Sequence, residues 1–325
     1  MIDQQLKQKV MAERLQKYER MGYRFVGPRK HSAIKVCAWC KTSLRGEGSC
    51  YKQKFYGIES GQCLQMTPTF FACSENCLFC WRPLRYALPK DQAWDSPKDI
   101  MDDAIAAQRS LLTGFKGNPA TPLLRFQRAQ DPRHVAISLS GEPTLYPQIG
   151  DLIADIKGRD MTAFLVTNGT LPERLQALLD KGQQPTQLYI TLAAPDPATL
   201  KKTALPIFPD SWERLQHSLG MLRQFERSVI RLTLAKGLNF HDPEGYAALA
   251  DQAGADFLEC KAFMSVGGAR DRLPYQDMPL FPEIQEFART IERASNYRIV
   301  DEKADSRVVL LANQSSSPPR LLFSE

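Results

Sequence analysis

Nowhere in these 325 residues is there a long apolar run. The longest stretches, such as VVLLA at 308–312, fall far short of the roughly 20 residues that cross a bilayer, which excludes a helical membrane protein. The opening MIDQQLKQKVMAERLQKYERMGY is polar and charged, without the apolar core of a signal peptide, so the expected location is the cytoplasm. Histidine is scarce, four in all, and His134 and His217 lack ligand-like spacing and read as structural residues. Charge of one sign is not dominant either. Lys and Arg number 42 against 36 Asp and Glu, a net +6 that favours a polyanion only if clustered. No internal repeat appears, and only NQSSSPPR is of low complexity.

What is present is cysteine, in one place. Seven of the eight fall between residues 37 and 80. In a reducing compartment that crowding points to metal or redox chemistry rather than disulfides. Cys260 stands apart in an apolar run and reads as a small buried hydrophobe. In CSENCLFCW, Cys73, Cys77 and Cys80 are spaced C-x3-C-x2-C with no fourth partner. A structural zinc ion takes four ligands, whereas three thiolates on a cubane-type iron–sulfur cluster leave one iron bare for an external molecule. The competing reading pairs Cys37-x2-Cys40 with Cys77-x2-Cys80 as a zinc ribbon and leaves Cys73 spare.

From about residue 95 the text alternates. Helix-like stretches (SPKDIMDDAIAAQRSLLTGF, IGDLIADIKGR, PERLQALLDKG, SWERLQHSLGMLRQF, PEGYAALADQAG, EIQEFARTIERAS) separate short apolar runs (HVAISLS, TAFLVTN, QLYITLA, VIRLTLA, FLECKAFM). This is the pattern of βαβ units on a parallel sheet. With a strand expected around TPTFFAC there are about six, suited to an incomplete barrel or a doubly wound sheet. YRIVDEKADSRVVLLAN reads as an edge hairpin. Leu6, Val10 and Leu15 mark an exposed amphipathic helix, and residues 30–70 read as an irregular region in which a metal replaces a core.

Two strand ends complement the cysteines. SLSGEPTLYP carries Gly141, which permits close backbone approach, and Glu142, which accepts bonds from an ammonium. LVTNG offers Thr167 and Asn168. With Phe79 before its last cysteine, the C-x3-C-x2-C motif resembles the radical S-adenosylmethionine (SAM) enzymes. That resemblance implies a [4Fe-4S] cluster on Cys73, Cys77 and Cys80 whose free iron holds SAM, with Phe79, Gly141, Glu142, Thr167 and Asn168 around the cofactor. It also implies an α/β fold: a radical SAM partial (β/α)6 TIM-like barrel over 67–300. A cysteine-rich N-terminal extension (1–66) would precede it, and a short C-terminal β hairpin and tail (301–325) would follow.

Cys37, Cys50 and Cys63 lie 13 residues apart twice over, another unfinished triad. Their segment, HSAIKVCAWCKTSLRGEGSCYKQKFYGIESGQCLQMTP, together with CLFCWR, LSGEPTLYP, FLVTNG and ECKAFMSVG, resembles the tRNA 4-demethylwyosine synthases of wybutosine biosynthesis. The resemblance runs from about residue 20 to beyond 300. It implies that the substrates are pyruvate and tRNA-Phe carrying N1-methylguanosine 3′ of the anticodon. It implies a second [4Fe-4S] cluster on Cys37, Cys50 and Cys63, and an imine-forming lysine among Lys35, Lys41 and Lys52, which the sequence does not distinguish. The flavodoxin-like domain of the eukaryotic relatives has no counterpart here, so an external flavodoxin- or ferredoxin-type donor is expected. Trp81, Arg82, Lys261 and Arg270, after the cluster loop or at a strand end, are the expected tRNA contacts; core packing is the alternative for Trp81.

The chain also departs from the family. TLAAP puts Ala193 where relatives carry a carboxylate, and SGQC puts Gly61 and Gln62 where they carry His and Arg. Cys40 is additional to the triad and is read as a bystander. Two other functions compete: another radical SAM enzyme modifying RNA or protein, and a zinc-stapled RNA-binding module without catalysis.

Overall fold

The structure is a computed structural model and describes residues 4–82, 86–316 and 318–323. The chain opens with α1 (Gln4–Arg20), the strands β1 (Arg24–Val26) and β2 (Ser32–Ile34), and two short helices, α2 (Ala38–Arg45) and α3 (Tyr51–Tyr56). Strands and helices then alternate through β3 (Cys63–Thr67), α4 (Pro97–Leu112), α5 (Leu123–Ala129), β4 (His134–Ile137), α6 (Ile149–Gly158), β5 (Thr162–Thr167) and α7 (Pro172–Asp180). They continue through β6 (Gln187–Thr191), α8 (Pro197–Ala204), α9 (Ser211–Gly220), β7 (Ser228–Leu234), α10 (Pro243–Ala253), β8 (Phe257–Ala262) and α11 (Phe281–Ala294). A hairpin, β9 (Tyr297–Lys303) and β10 (Val308–Asn313), closes the series. No helix among the described residues is long and apolar enough to cross a membrane.

All ten strands form one sheet in the order β1-β2-β3-β4-β5-β6-β7-β8-β10-β9. The six from β3 to β8 are parallel, while β1–β2 and β10–β9 are antiparallel additions at the two edges. The edges do not meet, so the sheet is an open partial (β/α)6 barrel. Several crossover helices start the same way, with a capping side chain followed by proline. Ser96, Asp196 and Asp242 accept from the backbone N–H groups of Asp99, Thr199 and Gly245, satisfying donors that the first helical turn leaves orphaned.

Three expectations shift. The first strand lies at Cys63–Thr67 rather than around TPTFFAC, because Pro68 has no N–H to continue the ladder. The displaced Phe70 instead packs with Tyr18, Tyr23 and Phe25. That cluster also seats α1, whose Tyr18 is buried, so the helix is not free on the surface at its C-terminal end. The side chains of Leu6 and Val10 lie outside the described residues.

The third shift concerns residues 30–70, which are not irregular. Tyr51, Phe55 and Tyr56 on α3 fill the concave face of the sheet against Phe164, Tyr189, Val229, Phe257, Val308 and Leu310. The segment YKQKFY places aromatics at spacings that meet on one helical side, so a buried plug stands where the composition suggested no core. Phe55 is fully buried in it. Phe55→Ala is expected to destabilise the protein by about 3–5 kcal/mol in urea unfolding; a loss below about 1 kcal/mol would show that the plug is not anchored there.

Candidate active site

The carboxyl ends of the parallel strands open into a cavity of about 690 Å³. Its walls bring together Cys73, Cys77, Cys80, Phe79, Gly141, Glu142, Thr167 and Asn168 from the sequence reading, together with Cys37, Lys35, Lys261, Trp81 and Arg82. Cys50, Cys63, Lys41, Lys52 and Arg270 are not in its lining.

The cysteine loop is stitched to the strand ends. Gly141 has φ +69°, and a Cβ there would fall 1.9 Å from the Thr69 carbonyl oxygen and 2.4 Å from that of Ala72, so only glycine fits. The next residue locks the approach, its N–H donating to the Ala72 carbonyl at 2.8 Å. The Glu142 carboxylate accepts from Thr144 N (3.0 Å), Thr144 Oγ1 (2.6 Å), Thr167 Oγ1 (2.7 Å) and Asn168 N (2.8 Å). Burial pushes its pKa up, and these bonds pull against that. Asn168 donates to Ser74 Oγ at 2.9 Å and reaches Cys73 Sγ at 3.8 Å. Glu142, Thr167 and Asn168 thus hold one another and the loop, leaving part of the Glu142 valence for a ligand.

Buried acidic groups accumulate along this wall. Burial raises the Cys73 and Cys77 thiols well above their usual range. Glu75, within the same loop, is pushed up to about 8 by burial first, and accepts the Cys77 thiol at 3.2 Å. Buried thiols become thiolates only when a cation compensates them, so this donor set fits a multivalent iron–sulfur cluster. Arg272 secures the loop from outside, donating to the carbonyls of Leu78 (3.1 Å), Cys80 and Arg82.

The second cysteine set lies at the junction of the extension and the sheet. Cys37 precedes α2, Cys50 precedes α3, and Cys63 begins β3. Burial pushes the Cys37 thiol up to about 11; burial, then the neighbouring Cys37, Cys40 and Cys50, raises Cys63 well above the ordinary range. Cys40 is fully buried with Val36, Leu44, Leu112 and Ala129; its N–H donates to Cys37 Sγ at 3.3 Å and its thiol to the Gly61 carbonyl at 3.6 Å. Among the described residues no three Cys, His, Asp or Glu side chains close on a single metal ion. A four-iron cluster, bound at separate irons, asks for wider spacing.

The three candidate lysines differ sharply. Lys41 is exposed, and Lys35 is half-buried, donating to the Met21 carbonyl at 2.8 Å. Lys52 is buried, its ammonium 4.4 Å from the Tyr189 ring centre and 5.1 Å from that of Phe164. Burial first, and then Arg231, lower it to about 8. Lys261 is likewise lowered to about 8 by burial and Arg231, and donates to the Ser306 carbonyl at 2.6 Å.

Arg231, Glu259 and Tyr51 were not singled out from the sequence. Arg231 on β7 faces Glu259 on β8 in register, with Nε 2.8 Å from the carboxylate and Nη2 donating to Tyr51 Oη at 2.8 Å. Tyr56 Oη donates to the other carboxylate oxygen at 2.7 Å. Charges inside two neighbouring apolar strands, Arg231 in VIRLTLA and Glu259 with Lys261 in FLECKAFM, were the available signal. Of the expected tRNA contacts, Trp81 is 38% exposed at the cavity and Arg270 is on the surface. Arg82 and Lys261 lie in the inner wall instead. The Arg82 guanidinium stacks on Trp81 and bonds Tyr23 Oη, while its Nε and Nη2 have no partner among the described residues.

Comparison with known proteins agrees with this arrangement. Residues 67–250 match the model of the radical SAM superfamily, and residues 252–313 match that of wyosine base formation. The S-adenosyl-L-methionine-dependent tRNA 4-demethylwyosine synthase of Pyrococcus abyssi is 46% identical over 93% of this chain and 89% of its own length. That of Saccharomyces cerevisiae is 36% identical over 90% of this chain but only 37% of its own. A solved structure described as TYW1 with a lysine-pyruvate adduct bound superposes with TM-score 0.83 at 33% identity, covering 99% of this chain and all of that one. The crystal structure of an archaeal TYW1 gives 0.77 at 31% identity, over 99% of this chain and all of that one. With 46% identity over 93% of its length to the Pyrococcus abyssi protein and more than half of its residues matching the radical SAM model, the chain belongs to the S-adenosyl-L-methionine-dependent tRNA 4-demethylwyosine synthase family of radical SAM enzymes.

Proposed function

We propose that this protein converts N1-methylguanosine, 3′ of the anticodon of tRNA-Phe, into tricyclic 4-demethylwyosine, using SAM and pyruvate. The observation that carries the reading is one cavity lined both by the Cys73, Cys77 and Cys80 loop and by Cys37 of the second set. A [4Fe-4S] cluster on the loop, when bound, supplies the electron that cleaves SAM to the adenosyl radical. The chain's part is to hold the cofactor with Gly141, Glu142, Thr167 and Asn168, to exclude water, and to present the methylated base within reach. Cys37, Cys50 and Cys63 are assigned to a second [4Fe-4S] cluster facing pyruvate.

Among the three lysines, Lys52 is assigned the imine with the pyruvate ketone. An amine attacks a carbonyl only when neutral, and Lys52 is the one enclosed between aromatic rings, beside Arg231 and two residues from Cys50. Lys41, in water, lacks any such enclosure. Trp81 at the cavity stacks the flipped purine, and Arg270 meets the tRNA backbone outside. Arg82 and Lys261, both in the inner wall, face the anionic groups that enter. The reductant is an external flavodoxin- or ferredoxin-type protein.

Incubating methylated tRNA-Phe with the anaerobically reconstituted protein, SAM, reductant and isotope-labelled pyruvate is expected to give labelled 4-demethylwyosine on nucleoside mass spectrometry. Deoxyadenosine release without a pyruvate-derived ring would instead support a different radical SAM modifier. Borohydride reduction in the presence of pyruvate is expected to leave one adduct, at Lys52. Lys52→Met should abolish both the adduct and the tricyclic product. Lys35→Met and Lys41→Met should retain the adduct; its appearance at either of those positions would overturn the choice.

A further inference from the structure

Leu205 is anomalous on two counts. It follows the last turn of α8 in the left-handed region, at φ 46° and ψ 58°, where glycine or asparagine is the ordinary occupant. Its side chain is 44% exposed, and that of Ile207 beside it is 37% exposed. Neither a strained backbone nor an apolar group in water stabilises the fold, so packing does not explain a leucine here.

The position of this segment does. Asn76 N donates to the Ala204 carbonyl and Leu78 N to that of Thr203, both at 2.9 Å, while Ile207 N donates to the Ser74 carbonyl at 2.8 Å. Glu75 and Pro206 pair in a single antiparallel bridge. Residues 203–207 are therefore one ply of chain between water and the loop that carries Cys73 and Cys77. Lys201 and Lys202 stand exposed in the last turn of α8, and neither pairs with a carboxylate among the described residues. Asp210, at the start of α9, is held by Arg214 at 2.9 Å.

We infer that Leu205, Ile207, Lys201 and Lys202 form the docking surface for an acidic, low-potential electron-transfer protein that reduces the cluster at Cys73, Cys77 and Cys80. The inference rests on the functional reading above, in which that loop holds a [4Fe-4S] cluster and the reductant is a separate protein. One electron leaves the carrier, which is oxidised by one step, and enters the cluster, which is reduced by one; no atom or proton is transferred. Encounters of this type use small interfaces, in which a few apolar contacts allow close approach and lysines steer the acidic partner. The apolar pair favours a protein over RNA, which would use the lysines alone.

The test compares reduced flavodoxin with dithionite as electron source for the reconstituted holoenzyme. Leu205→Gly relieves the left-handed strain and removes the apolar contact, so Tm should rise while the KM for flavodoxin increases about three- to ten-fold. The double variant Lys201→Glu/Lys202→Glu should raise that KM about ten-fold or more at low salt, with the difference shrinking as salt is added. Dithionite-driven turnover and tRNA affinity should not change. An unaltered flavodoxin KM would overturn the inference, as would an equal loss with dithionite or a loss that follows tRNA affinity. Titrating holoenzyme into isotope-labelled flavodoxin reads the contact without turnover: shift perturbations weakened by the same substitutions support it, and unweakened ones refute it. If the wild-type holoenzyme makes no tricyclic base with either reductant, the functional reading fails, while the titration still decides the docking.

Discussion

The seating of α3 in the concave face of the sheet is the constraint on which the site depends. Tyr51 and Tyr56 reach past the apolar plug to hydrogen-bond Glu259, and Glu259 in turn holds Arg231. A charge buried between strands has to be paired and hydrogen-bonded to be tolerated, and the helix supplies two of the needed donors. The extension is thereby fixed to β7 and β8 by polar bonds as well as by aromatic packing. Because Cys50 precedes α3 and Lys52 lies in its first turn, the same contact sets where those side chains stand. Arg231 then does a second thing, lowering the affinity of Lys52 and Lys261 for a proton.

On the opposite wall the organising principle is close backbone approach. The missing side chain of Gly141 lets the β4 end touch the cysteine loop, and Glu142, Thr167 and Asn168 convert that touch into a network spanning β4, β5 and the loop. Such a network holds its members in fixed positions before any ligand arrives, which is what a site for a reactive radical requires. The buried acids that remain, Glu75 and the thiols, are unfavourable together without a cation. Burial keeps them in their neutral forms, and their ionisation requires a compensating cation.

Much of this was legible in the chain. The spacing of Cys73, Cys77 and Cys80, the Gly-Glu pair and the Thr-Asn pair all stand at strand ends, where parallel sheets place ligands, and five of the six parallel strands coincide with apolar runs. What escaped was long-range. Periodicity cannot tell that the aromatics of YKQKFY enter a barrel rather than cover a surface, since the partners lie more than a hundred residues away. Nor can it separate Lys52 from Lys41, because their difference is burial by β5 and β6. Arg82, expected as a tRNA contact because it follows the cluster loop, is buried in the wall. Its long side chain packs against Trp81 and Tyr23, which local sequence does not reveal.

The cysteine loop and a second cysteine set whose Cys37 shares the loop's cavity are the centre of this account. An anomalous difference map at the iron edge, from anaerobically reconstituted crystals, tests it most directly. Two separate iron peaks are predicted, one ringed by Cys73, Cys77 and Cys80 and the other by Cys37, Cys50 and Cys63, with Cys40 bound to neither. A single peak, or a zinc signal at the second set, would contradict it.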